Sequence, residues 1–295
     1  MKLDELKDTP PWEWPEDAAD SLLAVLQDDK AEEADRLLAV ELSGDFSVID
    51  EELSDALLAI LKDPSANESL RGRAALSLGP LLEEVDLEGF DEPTEVPISE
   101  ATFRRIQDVL HALYEAPSSS DEIRRAVLES SVRAPEDWHA TAVRTAYATN
   151  EEAWQRTAVF CMRFVPGFGA EILEALESED DTIHEQAILA AGTWQIDAAF
   201  SHVADLVSDA DTPKDLLLAA IDAVASIRPH EAVDYLEDLA DSDDEEISEA
   251  VEDAMATAEG LCEEDEEGDE NEDDEEEEED DEEADEDDAD EPDEA

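Results

Sequence analysis

Large apolar residues recur along the chain at helical spacing and at a longer interval above it. Leu70, Ile123, Trp154, Ile183, Leu216 and Ile247 each open an apolar run, and after a first interval of 53 residues they follow one another by 31, 29, 33 and 31. Four positions beyond each stand Ala74, Val127, Ala158, Ala187, Ala220 and Val251; seven beyond stand Ser77, Ser130, Cys161, Ala190, Ala223 and Ala254. Positions i, i+4 and i+7 share one helix face, and a face of small residues lets the next helix approach closely. A period of about thirty residues fits a two-helix unit that buries its apolar face only by stacking on its neighbours. The partner helices are predicted at AADSLLAVLQDD, DEELSDALLAILKDP, ATFRRIQDVLHALYEA, AEILEALESED and HEAVDYLEDLADSDD, each ending in polar or proline-containing turns. The long first interval holds EEVDLEGFDEPTEVPIS, beginning at Glu83 and read as an irregular insertion. With only 9 glycines and Ala, Leu, Glu and Asp dominant, the fold class is all-α.

The segments EIRRAVLESSV, LRGRAALSLG and IHEQAILAAG resemble the inner helices of HEAT repeats, which couple an Arg-bearing first turn to a small-residue seam and a closing glycine. The resemblance runs from about residue 16 to 260 and implies an α-α superhelix, a curved solenoid of about seven helical hairpins whose second helices line the concave side. The expected organisation is an N-terminal extension over 1–15, a HEAT-like repeat domain over 16–262 and a disordered acidic tail over 263–295. HEAT arrays serve as adaptors, chaperones and occasionally enzymes, so the fold leaves function open.

Charge narrows the partners. The chain carries 90 acidic and 17 basic residues, a formal net charge of −73, and its field repels nucleic acid and anionic membranes. No stretch approaches the ~20 consecutive apolar residues of a membrane span, and the opening MKLDELKDTPPWEWPED has no signal-peptide core, so a cytoplasmic protein is expected. Of the last 33 residues, 27 are Asp or Glu and none is basic. That run reads as a solvating brush or as a ligand for basic proteins. The remaining 63 acidic and 17 basic residues, spread over most helices with five lysines against twelve arginines, favour adaptation to a cytoplasm of molar salt. EEDEEGDENEDD resembles a calcium loop only as far as any acidic run does.

Candidate chemistry is sparse. HEAT-like deoxyhypusine hydroxylases hold two irons between His-Glu pairs at matching positions of related repeats, and His184-Glu185 is such a pair. At the position of His184 the other inner helices carry Arg71, Arg124, Gln155, Leu217 and Ser248; at that of Glu185 they carry Gly72, Arg125, Arg156, Leu218 and Glu249. No second pair falls in register. His230-Glu231 follows Pro229 and opens a first helix, in a different layer, and His111, His139 and His202 are scattered. His184 and Glu185 therefore read as polar first-turn residues, and no metal, cofactor or catalytic residue is assigned. Cys161 reads as a small core residue, and neither it nor Cys262 lies in a CxxC or Cys/His cluster. A resemblance to the HEAT-like bilin lyases is confined to the repeat and transfers no residue.

One stretch departs from the general acidity. Residues 101–165 hold eight of the twelve arginines against nine acids, with Phe103, Tyr114, Trp138, Tyr147, Trp154, Phe160 and Phe164. Arginine and aromatic side chains are enriched at interaction hot spots. The predicted partner-binding residues are Arg104, Arg105, Arg124, Arg125, Trp138, Arg144, Arg156 and Arg163, against the alternative that these arginines form an internal ion-pair ladder. Trp12 and Trp14 are expected to cover the open apolar end of the first repeat. The sequence thus points to a non-enzymatic scaffold (adaptor, assembly factor or chaperone) that binds a protein partner on the concave face, taken as a monomer. Alternatives are a HEAT-like enzyme of the bilin lyase or metal-hydroxylase type and an acidic-tail chaperone for basic proteins.

Overall fold

The computed structural model describes residues 3–28, 30–90 and 96–262. The acidic tail at 263–295 and part of the Glu83 insertion lie outside them. Among the described residues there is no strand. The helices are α1 (Leu3–Lys7), α2 (Ala18–Leu26), α3 (Glu33–Leu42), α4 (Glu51–Lys62), α5 (Glu68–Leu76), α6 (Gly79–Glu88), α7 (Glu100–Glu115), α8 (Asp121–Ser131), α9 (His139–Tyr147), α10 (Glu152–Met162), α11 (Gly169–Ala175), α12 (Asp181–Thr193), α13 (Phe200–Ser208), α14 (Lys214–Ile227) and α15 (Pro229–Leu236). A last helix, α16, spans 245–262.

Each inner helix starts for a local reason. The residue before it stands three positions ahead of the apolar anchor: Asn67, Ser120, Glu151, Asp180, Pro213 and Asp244. Asn67, Ser120 and Asp180 accept the backbone N–H of Ser69, Ile123 and Ile183 at 2.7, 3.4 and 3.1 Å, satisfying donors that the first turn leaves open. The anchor thereby enters at the third helical position and faces inward. All eighteen anchor and seam residues are buried except Ile247, which is half-buried.

The chain divides into two units between Ala190 and Ala191, within α12. In the first, α2 with α3, α4 with α5, α7 with α8 and α9 with α10 form hairpins; α3, α5, α8 and α10 pack in succession as the inner layer, and α2, α4 and α7 as the outer. In the second, α13 packs on α14 and α15, and α14 on α15.

Two expectations need correcting. The segment from Glu83 is helical to Glu88: Pro80 sits in the first turn of α6, and Leu81, Leu82 and Val85 are buried, so apolar contact with α8 overrides the acidic composition. At the amino terminus, α1 packs on α3 with Leu6 fully buried, and Trp14 packs against the same core, whereas Trp12 is 82% exposed and covers nothing. Helix α3 is also an inner helix without an apolar anchor: its first turn, EADR, is wholly polar apart from one alanine, and burial begins only at Ala39 and Val40.

Candidate functional site

Arginine partners sort the predicted surface into two groups. In the first, the guanidinium ties one element of the array to another. Arg71 donates to the Leu61 carbonyl at 2.9 Å and Arg124, at the same place in the next inner helix, to the Ala116 carbonyl at 3.0 Å. Both satisfy acceptors at the end of the preceding outer helix, which the helix itself leaves open. Arg105 pairs with Asp55 at 2.5 Å, joining α7 to α4, and Arg133 pairs with Glu83, joining α8 to α6. Arg156 pairs with Asp180 at 2.6 Å and with Glu152 at 2.5 Å. Asp180 is also the acceptor that starts α12, and the hydrogen bond from Arg156 holds its carboxyl below the usual range. In the second unit Lys214 repeats the device on Asp244, the residue that opens α16, at 2.8 Å. Among the described residues Arg104 pairs only within its own helix, with Glu100 at 2.6 Å.

The second group is different. No carboxylate among the described residues lies within ion-pair distance of Arg125, Arg144 or Arg163. Two of them stand on aromatic faces instead: the Arg144 guanidinium is 5.0 Å from the Phe168 ring centre, and that of Arg163 is 5.9 Å from Phe164. A cation on a ring face keeps most of its N–H donors free for a partner. Phe164 is shared with Arg133 at 5.4 Å and packs on Phe160.

Trp138 stands at the start of α9, half-buried, with its indole stacked on His111 at 4.6 Å and on His139 at 3.8 Å, tilted against Tyr114 at 5.1 Å, and its N–H donated to Glu136 at 3.0 Å. The cluster fastens α9 to α7. His139 is fully buried, with Nε2 at 2.9 Å from the Ser131 hydroxyl and Nδ1 accepting the Glu136 backbone N–H at 2.8 Å. Burial brings its pKa down to about 4, so the ring is neutral and structural at ordinary pH. Glu129, hydrogen-bonded to Thr157, is pushed up by burial, and the same cause raises the fully buried Cys161 thiol, which leaves that cysteine unreactive.

His184 and Glu185 lie half-buried in the first turn of α12, and His230 and Glu231 open α15 behind Pro229, with Glu231 paired to Arg228 at 3.1 Å. Among the described residues no group of three or more His, Cys, Asp or Glu side chains is placed to hold a metal ion, and no helix is long and apolar enough to cross a membrane. Sequence reasoning missed the pairing of His230 Nδ1 with Cys262 Sγ at 3.2 Å, since 32 residues separate them.

Residues 169–256 match the family described as HEAT repeats, a span that runs from α11 into α16. No curated protein matches the chain in sequence. Among solved structures, human deoxyhypusine hydroxylase in complex with glycerol is similar at 15% identity and a TM-score of 0.39, over 88% of this chain and 96% of that one. The complex of CpcE and CpcF of phycocyanin lyase from Nostoc sp. is similar at 17% identity and a TM-score of 0.43, over 86% and 98%. What those names say of binding or chemistry belongs to those proteins.

Proposed function

We propose that the chain is a non-enzymatic HEAT-repeat scaffold that binds a protein partner through Arg125 of α8, Arg144 of α9 and Arg163 at the end of α10, which have no ion-paired carboxylate among the described residues. The observation that carries this reading is the contrast within the stretch. With 90 acids against 17 bases, internal pairing is within reach of almost any guanidinium, and Arg105, Arg133 and Arg156 are engaged in that way. Arg125, Arg144 and Arg163 are not, and aromatic support for the last two holds their donors in place for carboxylates or carbonyls of another chain. Arg105, Arg124, Arg133 and Arg156 serve the array, and Trp138 serves the α7–α9 packing.

The test compares two variants of equal helicity by circular dichroism. Replacing Arg125, Arg144 and Arg163 together by Ala lowers recovery of partners cross-linked in native lysate at native salt, while Arg104→Ala leaves it unchanged. Equal recovery with both removes the assignment. Stoichiometric iron in the purified protein would overturn the non-enzymatic reading.

A further inference from the structure

One position of the repeat meets the following hairpin where its side chain is small. Nine residues beyond the anchors stand Gly79, Val132, Arg163, Gly192, Ala225 and Ala256. In the first unit a Cβ on Gly79 would lie 2.9 Å from the side chain of Arg133, just beyond α8, and 3.4 Å from the Cα of Ser130 in α8, the next inner helix. In the second unit a Cβ on Gly192 would lie 3.0 Å from the Ala223 Cα of α14. The position therefore faces the following hairpin. The small apolar residues Val132 and Ala225 are fully buried there and Arg163 is half-buried, but Ala256 of α16 is exposed.

Ala256 lines an open groove of about 850 Å³ between α15 and α16. Its floor is apolar, with Met255 and with Val233, which is 46% exposed; Glu249, Glu252 and Glu259 stand around it. His230 and Cys262 lie at its edge. This is the surface on which a further hairpin would stack. The 33 residues that follow α16 include 27 acids and no large apolar side chain, so they have nothing to lay on Val233 and Met255 and would set carboxylates against carboxylates. A second copy of a chain of charge −73 meets the same repulsion.

We propose that this groove receives a basic amphipathic helix of a partner protein, one whose aliphatic stripe covers Val233, Met255 and Ala256 and whose flanking Lys or Arg residues meet Glu249, Glu252 and Glu259. Apolar burial supplies most of the affinity, because solvent-exposed ion pairs at the rim contribute little; the carboxylates set the sign of the partner and speed its approach. This groove belongs to the second unit, and Arg125, Arg144 and Arg163 belong to the first.

Cys262 is a built-in reporter, since Cys161 is fully buried and only one thiol is accessible. The probe is a synthetic Leu/Lys helix of about 18 residues with one apolar stripe, beside a scrambled peptide of equal composition, both added to the full chain. The striped peptide is expected to slow modification of Cys262 by a chromogenic disulfide reagent severalfold, and the scrambled one to leave the rate unchanged. Val233→Glu and Met255→Glu, each at a partly exposed position, are expected to weaken binding of the striped peptide about tenfold or more by fluorescence anisotropy. Both variants add negative charge, so attraction to the acidic tail alone would hold or strengthen binding, and that result overturns the proposal. Equal protection by both peptides also overturns it, as does a dimer by light scattering that Val233→Glu dissolves, which would assign the groove to a second copy. The triple arginine variant is expected to bind the striped peptide like the parent chain, which keeps this result distinct from the one for α8–α10.

Discussion

The amino-terminal hairpins of the first unit and the carboxy-terminal hairpin of the second are built differently. At the amino-terminal end α1 packs on α3, Leu6 is fully buried, and the Trp14 indole donates to the carbonyls of Leu6 at 2.9 Å and Thr9 at 2.8 Å, which locks the turn between α1 and α2 against the first hairpin. At the other end, among the described residues, the groove lined by Val233, Met255 and Ala256 is open, and the sequence continues as acid without large apolar side chains. Stacked hairpins leave an apolar face at each terminus, and only an element with apolar residues of its own closes it. The first end contains such an element. Among the described residues, the last contains none.

Three pairs of substitutions separate these ends, each measured by urea unfolding followed by circular dichroism at fixed salt. Leu6→Ala removes a fully buried side chain and is expected to cost about 3 kcal/mol, whereas Val233→Ala in the open groove changes stability by less than about 0.5 kcal/mol. Similar losses at both sites would mean that the groove is closed in solution. Gly192→Leu forces atoms into Ala223 and is expected to cost about 2 kcal/mol even though helix propensity favours the change by close to 1; Ala256→Leu, at the same repeat position, is expected to be neutral or slightly stabilising. A penalty at Ala256 matching that at Gly192 would remove the unoccupied-position argument. Trp14→Phe deletes the indole donor and is expected to cost about 1 kcal/mol, with Trp12→Phe silent because that ring is 82% exposed.

The arginine-rich stretch shows where a linear reading stops. That Arg124 would sit in the first turn of an inner helix follows from the pattern around Ile123, but its bond to the Ala116 carbonyl depends on how the α7–α8 turn closes. Arg156 and Arg163 are seven residues apart in one helical run, yet one is held by Asp180 and the other stands beside Phe164. Composition gives both the same weight. Trp138 was expected near a turn, and it is; its stacking on His111 and Tyr114 of α7 comes from the packing of hairpins.

By itself the amino-acid sequence determined the repeat: the anchors, the small-residue seam and the residues that start each inner helix act within one or two turns, where backbone geometry links spacing directly to facing. Helix α6 and the inner role of α3 escaped it because acidic or polar first turns conceal apolar contacts that only neighbouring helices supply. Tertiary structure decided which arginines are engaged, which tryptophan closes the first end and that Ala256 is exposed. Those outcomes depend on which side chains the stacking brings within a few ångströms, a distance that separation along the chain does not encode.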